Sequence, residues 1–169
     1  MGVAVLLKQV PDTTAKISIS GDRVDESSIT KWSISPYDEY ALENAIKLKE
    51  SGFGEVVAIT CGPSRSAKCL TEAAAVGADR LIHIISESPL DSIQVQALLS
   101  AAVEKTGCDI VMCGKQAADT NSGSTGPGLA VSLGFSCVGG VTGVSIENDL
   151  ASATRLGPSG LEEVEVRVP

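Results

Sequence analysis

Short apolar runs take turns with longer stretches in which apolar residues recur every three or four positions, and this rhythm persists as far as Leu133. Val3–Leu7 is the first apolar run and predicts a buried strand, and Lys8 to Asp12 follow as a turn. Lys16–Ser20 alternates polar and apolar, Gly21 and Asp22 turn, and Arg23–Asp25 continues, the pattern of a small surface hairpin. Ser35, Pro36, Tyr37, Asp38 and Glu39 then open a helix, with a capping-type residue, proline at the first helical position and acids in the first turn. Tyr37, Ala41, Ala45 and Leu48 mark its apolar face, and Ser51-Gly52 ends it.

The same alternation then repeats. Strands are predicted at Glu55–Thr60, Arg80–Ile85 and Cys108–Cys113, and helices at Ser64–Val76, Asp91–Lys105 and Gly126–Leu133. Four β-α units in series predict a parallel sheet wrapped by helices on both faces. Beyond Gly134 the helical period disappears. Cys137–Ile146, Asp149–Arg155 and Leu161–Val168 read as extended segments joined by Asn148-Asp149 and by Pro158 to Gly160, which predicts an antiparallel extension at one sheet edge. All 169 residues fit one α/β domain.

Composition narrows the class. The chain is 43% hydrophobic and 20% charged, and with only two Phe, two Tyr and one Trp its core is aliphatic. A formal charge of −8 argues against nucleic acid as the main partner, because a phosphate backbone calls for clustered Lys and Arg. No segment is long enough for membrane insertion, and the apolar N-terminus lacks the basic start and length of a signal peptide. Five cysteines without a CxxC pair and a single histidine, His83, do not make a zinc site and point to a reducing, cytoplasmic setting. No Ser-His-Asp set, metal-ligand cluster or Walker loop is present, so no independent catalysis is expected.

Candidate chemistry concentrates in one place. Between the strand ending at Cys113 and the helix that follows lie Gly114, Lys115, Gln116, Ala117, Ala118, Asp119, Thr120, Asn121, Ser122, Gly123, Ser124 and Thr125. Small residues, hydroxyls and one carboxylate at a strand-to-helix junction suit an anion approached by backbone N–H groups. A polar surface loop has the same composition, so both readings stand on the residues alone. Lys115 can reach a phosphate or point into solvent.

Five pieces, in order and at matching spacing, resemble the small (β) subunit of electron-transfer flavoproteins. They are Val5 to Asp12, Ser35 to Glu43, Cys61-Gly62-Pro63 before a helix, Val76 to Arg80, and Cys113 to Asp119 running into Ser124 to Pro127. The resemblance implies a doubly wound parallel sheet of the nucleotide-binding, adenine nucleotide alpha-hydrolase-like type. It implies a larger α subunit that holds FAD, flavin dehydrogenases and a downstream acceptor as electron-transfer partners, and a second nucleotide on this chain. That nucleotide is AMP in ordinary members and a second FAD in bifurcating ones. Glu87 to Ser92 lacks the longer stretch associated with bifurcation, which favours AMP.

The resemblance further places Leu6 beneath the adenine or ribose. It puts Ser35, Pro36, Tyr37 and Asp38 around the base, Cys61 at the end of the second strand, and Gly114 through Thr125 around ribose and phosphate. Family members normally continue well beyond Pro169, through a partner-recognition loop and a C-terminal extension, so the expectation is a chain lacking that extension. Ser35 stands where the family commonly has Asn and is expected to cap the helix still.

Residue chemistry leaves plainer roles open at several of these positions. Cys61 reads equally as a packed small residue, Asp38 as a first-turn acid, and Asp119 as an Asx-turn former. Val76 to Arg80 reads as structural, with Gly77 ending a helix and Arg80 pairing with a nearby acid; His83 reads as a core or surface residue. Two other functions share such a sheet. One is a stand-alone adenine-nucleotide-binding regulatory domain of the stress-protein kind. The other is an ATP-pyrophosphatase, whose Ser-Gly-Gly-type loop after the first strand is missing from Lys8 to Thr13.

Overall fold

A computed structural model describes residues 1–168. Four parallel strands form its centre: β1 (Gly2–Leu6), then, after the short strands β2 (Gln9–Pro11), β3 (Ile19–Ser20), β4 (Arg23–Val24) and β5 (Trp32–Ile34) and the helix α1 (Pro36–Glu50), β6 (Glu55–Gly62), β7 (Arg80–Ile85) and β8 (Ile110–Cys113). Their spatial order is β7-β6-β1-β8. The chain therefore steps outward from β1 to β6 to β7, then returns to pair β8 on the other side of β1.

The helices are α1 (Pro36–Glu50), α2 (Ala67–Val76), α3 (Ser92–Thr106) and α4 (Thr125–Leu133). Side chains alternate along each central strand and so feed two cores. Val3, Val5, Val56 and Ala58 meet Leu42, Ala45, Leu48, Leu70 and Ala73 of α1 and α2. Ala4, Leu6, Val57 and Ile59 meet Leu99, Val103 and Leu129 of α3 and α4. This is the doubly wound arrangement the alternation predicts, and it explains why β1 and β6 carry almost no polar residues.

Helix ends follow local chemistry in most places. Asp91 caps α3 in a full capping box with Gln94 (Gln94 N to Asp91 Oδ1 2.8 Å; Asp91 N to Gln94 Oε1 3.0 Å). Gly77 closes α2 at φ 122°, a backbone angle that a side chain would strain. Arg80 does pair with an acid, Glu55, at 2.7 Å.

Three expectations change. Gln9–Pro11, read as part of a turn, is a short strand, β2, paired antiparallel with β5 (Trp32–Ile34). The predicted surface hairpin survives as β3 (Ile19–Ser20) and β4 (Arg23–Val24). The second helix begins later than expected, because Ser64–Ser66 form a 3₁₀ turn before α2. On α1 the inward face runs through Asp38, Leu42, Ala45 and Leu48, while Tyr37 is 42% exposed. Apolar periodicity placed Tyr37 inward because it cannot register a buried carboxylate.

The C-terminal segments are antiparallel, as expected, but hydrogen-bond as a sheet of their own rather than onto an edge strand of the parallel sheet: β9 (Val141–Glu147), β10 (Leu150–Gly157) and β11 (Gly160–Arg167), in the order β11-β10-β9. They pair among themselves, and Val144, Ile146 and Ala151 pack on the α1 side of the core together with Val168.

Candidate functional site

Strand order reverses between β1 and β8, and in open α/β sheets the crevice outside the strand carboxyl ends at such a reversal is where ligands bind. The residues around that crevice come from three separate parts of the chain. Lys8 follows β1, Ser35 to Asp38 start α1, and residues 114–124 link β8 to α4.

Asp38 ties them together. Its Oδ2 accepts from Lys8 N at 2.8 Å and its Oδ1 from Gly114 N at 2.9 Å. The side chain is buried. Burial pushes its carboxyl up to about 6, opposed by the two backbone hydrogen bonds and by Lys8. Gly114 fits only because it has no side chain: a Cβ there would meet Asp38 Oδ1 at 2.5 Å and Tyr37 Cβ at 2.7 Å.

Ser35, fully buried, makes no side-chain cap, contrary to the expectation for α1. Its hydroxyl accepts instead from Ala118 N at 3.3 Å, so a cap-type residue serves the loop rather than its own helix. Lys8 Nζ reaches over to Asp119 at 2.7 Å, and this ion pair holds the same loop from the β1 side. Asp119 is therefore more than the Asx-turn former its type allows.

Within the loop, Gln116 Nε2 donates to Asn121 Oδ1 at 2.9 Å, and Asn121 N donates to Ala117 O at 2.8 Å. Asn121 and Gly123 both take positive φ, 53° and 62°. Lys115, Thr120, Asn121 and Ser122 are exposed, whereas Gln116, Ala117, Ala118, Gly123, Ser124 and Thr125 are half-buried. Ser124 makes no side-chain cap for α4. Pro127 has no N–H and Gly128 N donates to Ser124 O at 3.0 Å, so the N–H groups of Thr125 and Gly126 are the ones ahead of the helix's own bonds, in the stretch that carries the Ser122, Ser124 and Thr125 hydroxyls.

The remaining expected site residues occupy the strand ends. Leu6 is buried against the α3 and α4 core, opposite Cys113 of β8. Cys61 is half-buried at the end of β6, and burial raises its thiol. Burial likewise pushes the Cys113 thiol up to about 11, so neither is a ready thiolate. Pro36 is the first residue of α1 and Tyr37 its outward neighbour.

Two contacts escaped the sequence reading. Lys8 belonged to the first matched piece without a role of its own. Gln96, from α3, donates Nε2 to Ser124 O at 3.2 Å. Lys8 carried a usable signal, a lone cation just past the first core strand; Gln96 carried none. A separate cleft of about 400 Å³ opens beyond β6 and β7, lined by Glu26, Pro63, Arg65, Ser86, Glu87 and Pro89. Its charges are matched internally: Arg65 pairs with Glu26 and lies 3.6 Å over the Trp32 ring, and Glu87 accepts from Ser64.

Among the described residues, no group of three or more His, Cys, Asp or Glu is placed to hold a metal, and no helix is long and apolar enough to cross a membrane. A doubly wound sheet with a hydroxyl-rich loop braced at its reversal point is an arrangement on which α/β domains commonly place a ligand site. Residues 26–169 match the electron transfer flavoprotein domain. The electron transfer flavoprotein β subunit of Dictyostelium discoideum is 33% identical over 99% of this chain and 68% of its own length. That of Bradyrhizobium diazoefficiens is 33% identical over all of this chain and 69% of its own. The acryloyl-CoA reductase electron transfer subunit gamma of Anaerotignum propionicum is 33% identical over all of this chain and 65% of its own.

The chain belongs to the electron-transfer flavoprotein β-subunit family. It spans about two-thirds of the length of these relatives. Members of this family are subunits of an electron-transfer flavoprotein.

Proposed function

We propose that this chain binds an adenine nucleotide at the β1/β8 crevice and serves as the nucleotide-holding half of a flavin electron carrier. The observation that carries this is the bracing of residues 114–124 from three sides, by Asp38, Ser35 and Lys8, beside the uncapped start of α4. Such a loop offers N–H groups and hydroxyls in a fixed arrangement, which suits a ribose and one phosphate.

The donor set favours AMP over a second FAD. Lys8 is neutralised by Asp119, which leaves Lys115 as the loop's exposed cation; one cation and a short row of hydroxyls match a monophosphate better than a pyrophosphate. Leu6, Pro36, Tyr37 and Cys61 supply the apolar walls for the base. The α subunit would hold the redox-active FAD, and flavin dehydrogenases and a downstream acceptor would complete the path. The nucleotide on this chain would then be structural, with no catalysis of its own, in a cytoplasmic setting.

The purified chain, denatured and analysed by absorbance and mass, tests this directly. Released AMP is the expected result. Released FAD would retain the nucleotide site and overturn the choice of AMP, while tightly held ATP or no nucleotide would count against the reading as a whole.

A further inference from the structure

At the reversal point of a doubly wound sheet, ligands bind outside the carboxyl ends of the strands, where backbone N–H groups of the following turns can serve as donors to an anion. Here those groups, Lys8 N beyond β1 and Gly114 N at the end of β8, are both occupied by one carboxylate of the chain itself, at 2.8 and 2.9 Å. We propose that Asp38 is a positioning residue whose ionised carboxylate latches the ends of β1 and β8 together and sets loop 114–124 for the nucleotide, without touching the nucleotide itself. The proposal rests on the nucleotide reading given above for its functional consequence, though the latch is a property of the free chain.

Both oxygens of Asp38 are already engaged and the side chain is buried, which leaves it little capacity for a ligand. Gly114 lies so close to Asp38 and Tyr37 that even a methyl group would not fit, so loop and helix start are in register at one point. Ser35 adds a second tie four residues further along the loop, at Ala118. The phosphate is thereby directed away from the β1/β8 amides, towards Ser122 to Thr125 and the start of α4.

A latch of this kind requires the charged form. A protonated carboxyl keeps one good acceptor, and its O–H would face an N–H donor. Burial holds the Asp38 carboxyl near 6, just below neutrality. The charged and titratable groups facing it are Lys8 past β1 and Asp119 on the loop, with the thiols of Cys113 on β8 and Cys69 on α2 further off. Acidification from 7.5 to 5 is therefore expected to release one of the two amides and loosen the loop.

The test uses the full chain, with hydrogen exchange over residues 113–119 and AMP titration calorimetry, both at intervals from pH 7.5 to 5. In the wild type, exchange protection corrected for intrinsic rates should fall about tenfold through pH 6, and the AMP Kd should rise by a similar factor. In Asp38→Asn, whose amide puts an N–H₂ where an acceptor is needed, both quantities should already stand at their low-pH values at pH 7.5 and stay flat. Protection and Kd that are independent of pH in the wild type, or an Asp38→Asn profile that overlays it, would overturn the latch. Should the variant not fold, the wild-type profile decides alone. Loop protection that follows pH in a chain that binds no AMP would uphold the latch while removing the nucleotide reading; pH-independent AMP binding would do the reverse.

Discussion

The ammonium of Lys8 and the carboxylate of Asp119 lie 2.7 Å apart although 111 residues separate them in the chain. Lys8 is thereby held twice, its backbone by Asp38 and its side chain by Asp119. The side chains of the ion pair are 42% and 28% exposed, so solvent screens the attraction. Asp119→Asn is expected to lower stability by less than about 1 kcal/mol in urea unfolding. A loss of about 3 kcal/mol or more would mean the pair behaves as a buried one.

Gly114 should respond far more strongly to substitution than its place in a loop implies. Its Cβ would meet Asp38 and Tyr37 of α1, and backbone at Tyr37 C stands only 2.8 Å away, so the strain has no flexible outlet. Gly114→Ala is expected to cost roughly 2–3 kcal/mol in denaturant melts. Gly139, with nothing within 4 Å of its hypothetical Cβ, supplies the control: Gly139→Ala should leave the midpoint within about 0.5 kcal/mol of the parent. Equal effects at both positions would contradict the packing described.

Stability should peak on the acid side of neutrality. Asp38 titrates near 6 in the folded chain against a reference of 3.8, so the native state binds the extra proton in between. Its contribution is fully present below 3.8 and is lost as pH rises through about 6, on the order of 2–3 kcal/mol. Asp12, Asp79 and Glu87 act oppositely. Hydrogen bonds from Thr14, Lys49 and Ser64 respectively hold their carboxyls below the usual range, and that contribution fades as pH falls through the folded values. Thermal melts between pH 3 and 7.5 should therefore show a maximum between about 4 and 5. In Asp38→Asn the decline from 4 to 6 should disappear; a decline that persists would assign it to another group.

Much of the fold was legible because its determinants are local. Val3 to Leu7 and Glu55 to Thr60 are apolar runs that only a strand buried on both faces accommodates, and Gly77 and Asp91 carry their helix-ending and helix-starting chemistry in their own side chains. The errors fell where a side chain answers to a distant partner. Ser35 has every local mark of a helix cap, yet its hydroxyl serves Ala118, 83 residues on. Asp38 has every mark of a first-turn acid, yet it faces inward and joins two strand ends.

Periodicity and turn chemistry act over a few residues, and they are enough to specify the alternating elements, the two-faced core and the place where glycines and hydroxyls gather. What braces that loop depends instead on long-range packing. Lys8, Ser35, Asp38 and Gln96 reach it only after β8 has crossed back beside β1, and no local pattern encodes which backbone amide a buried carboxylate will meet.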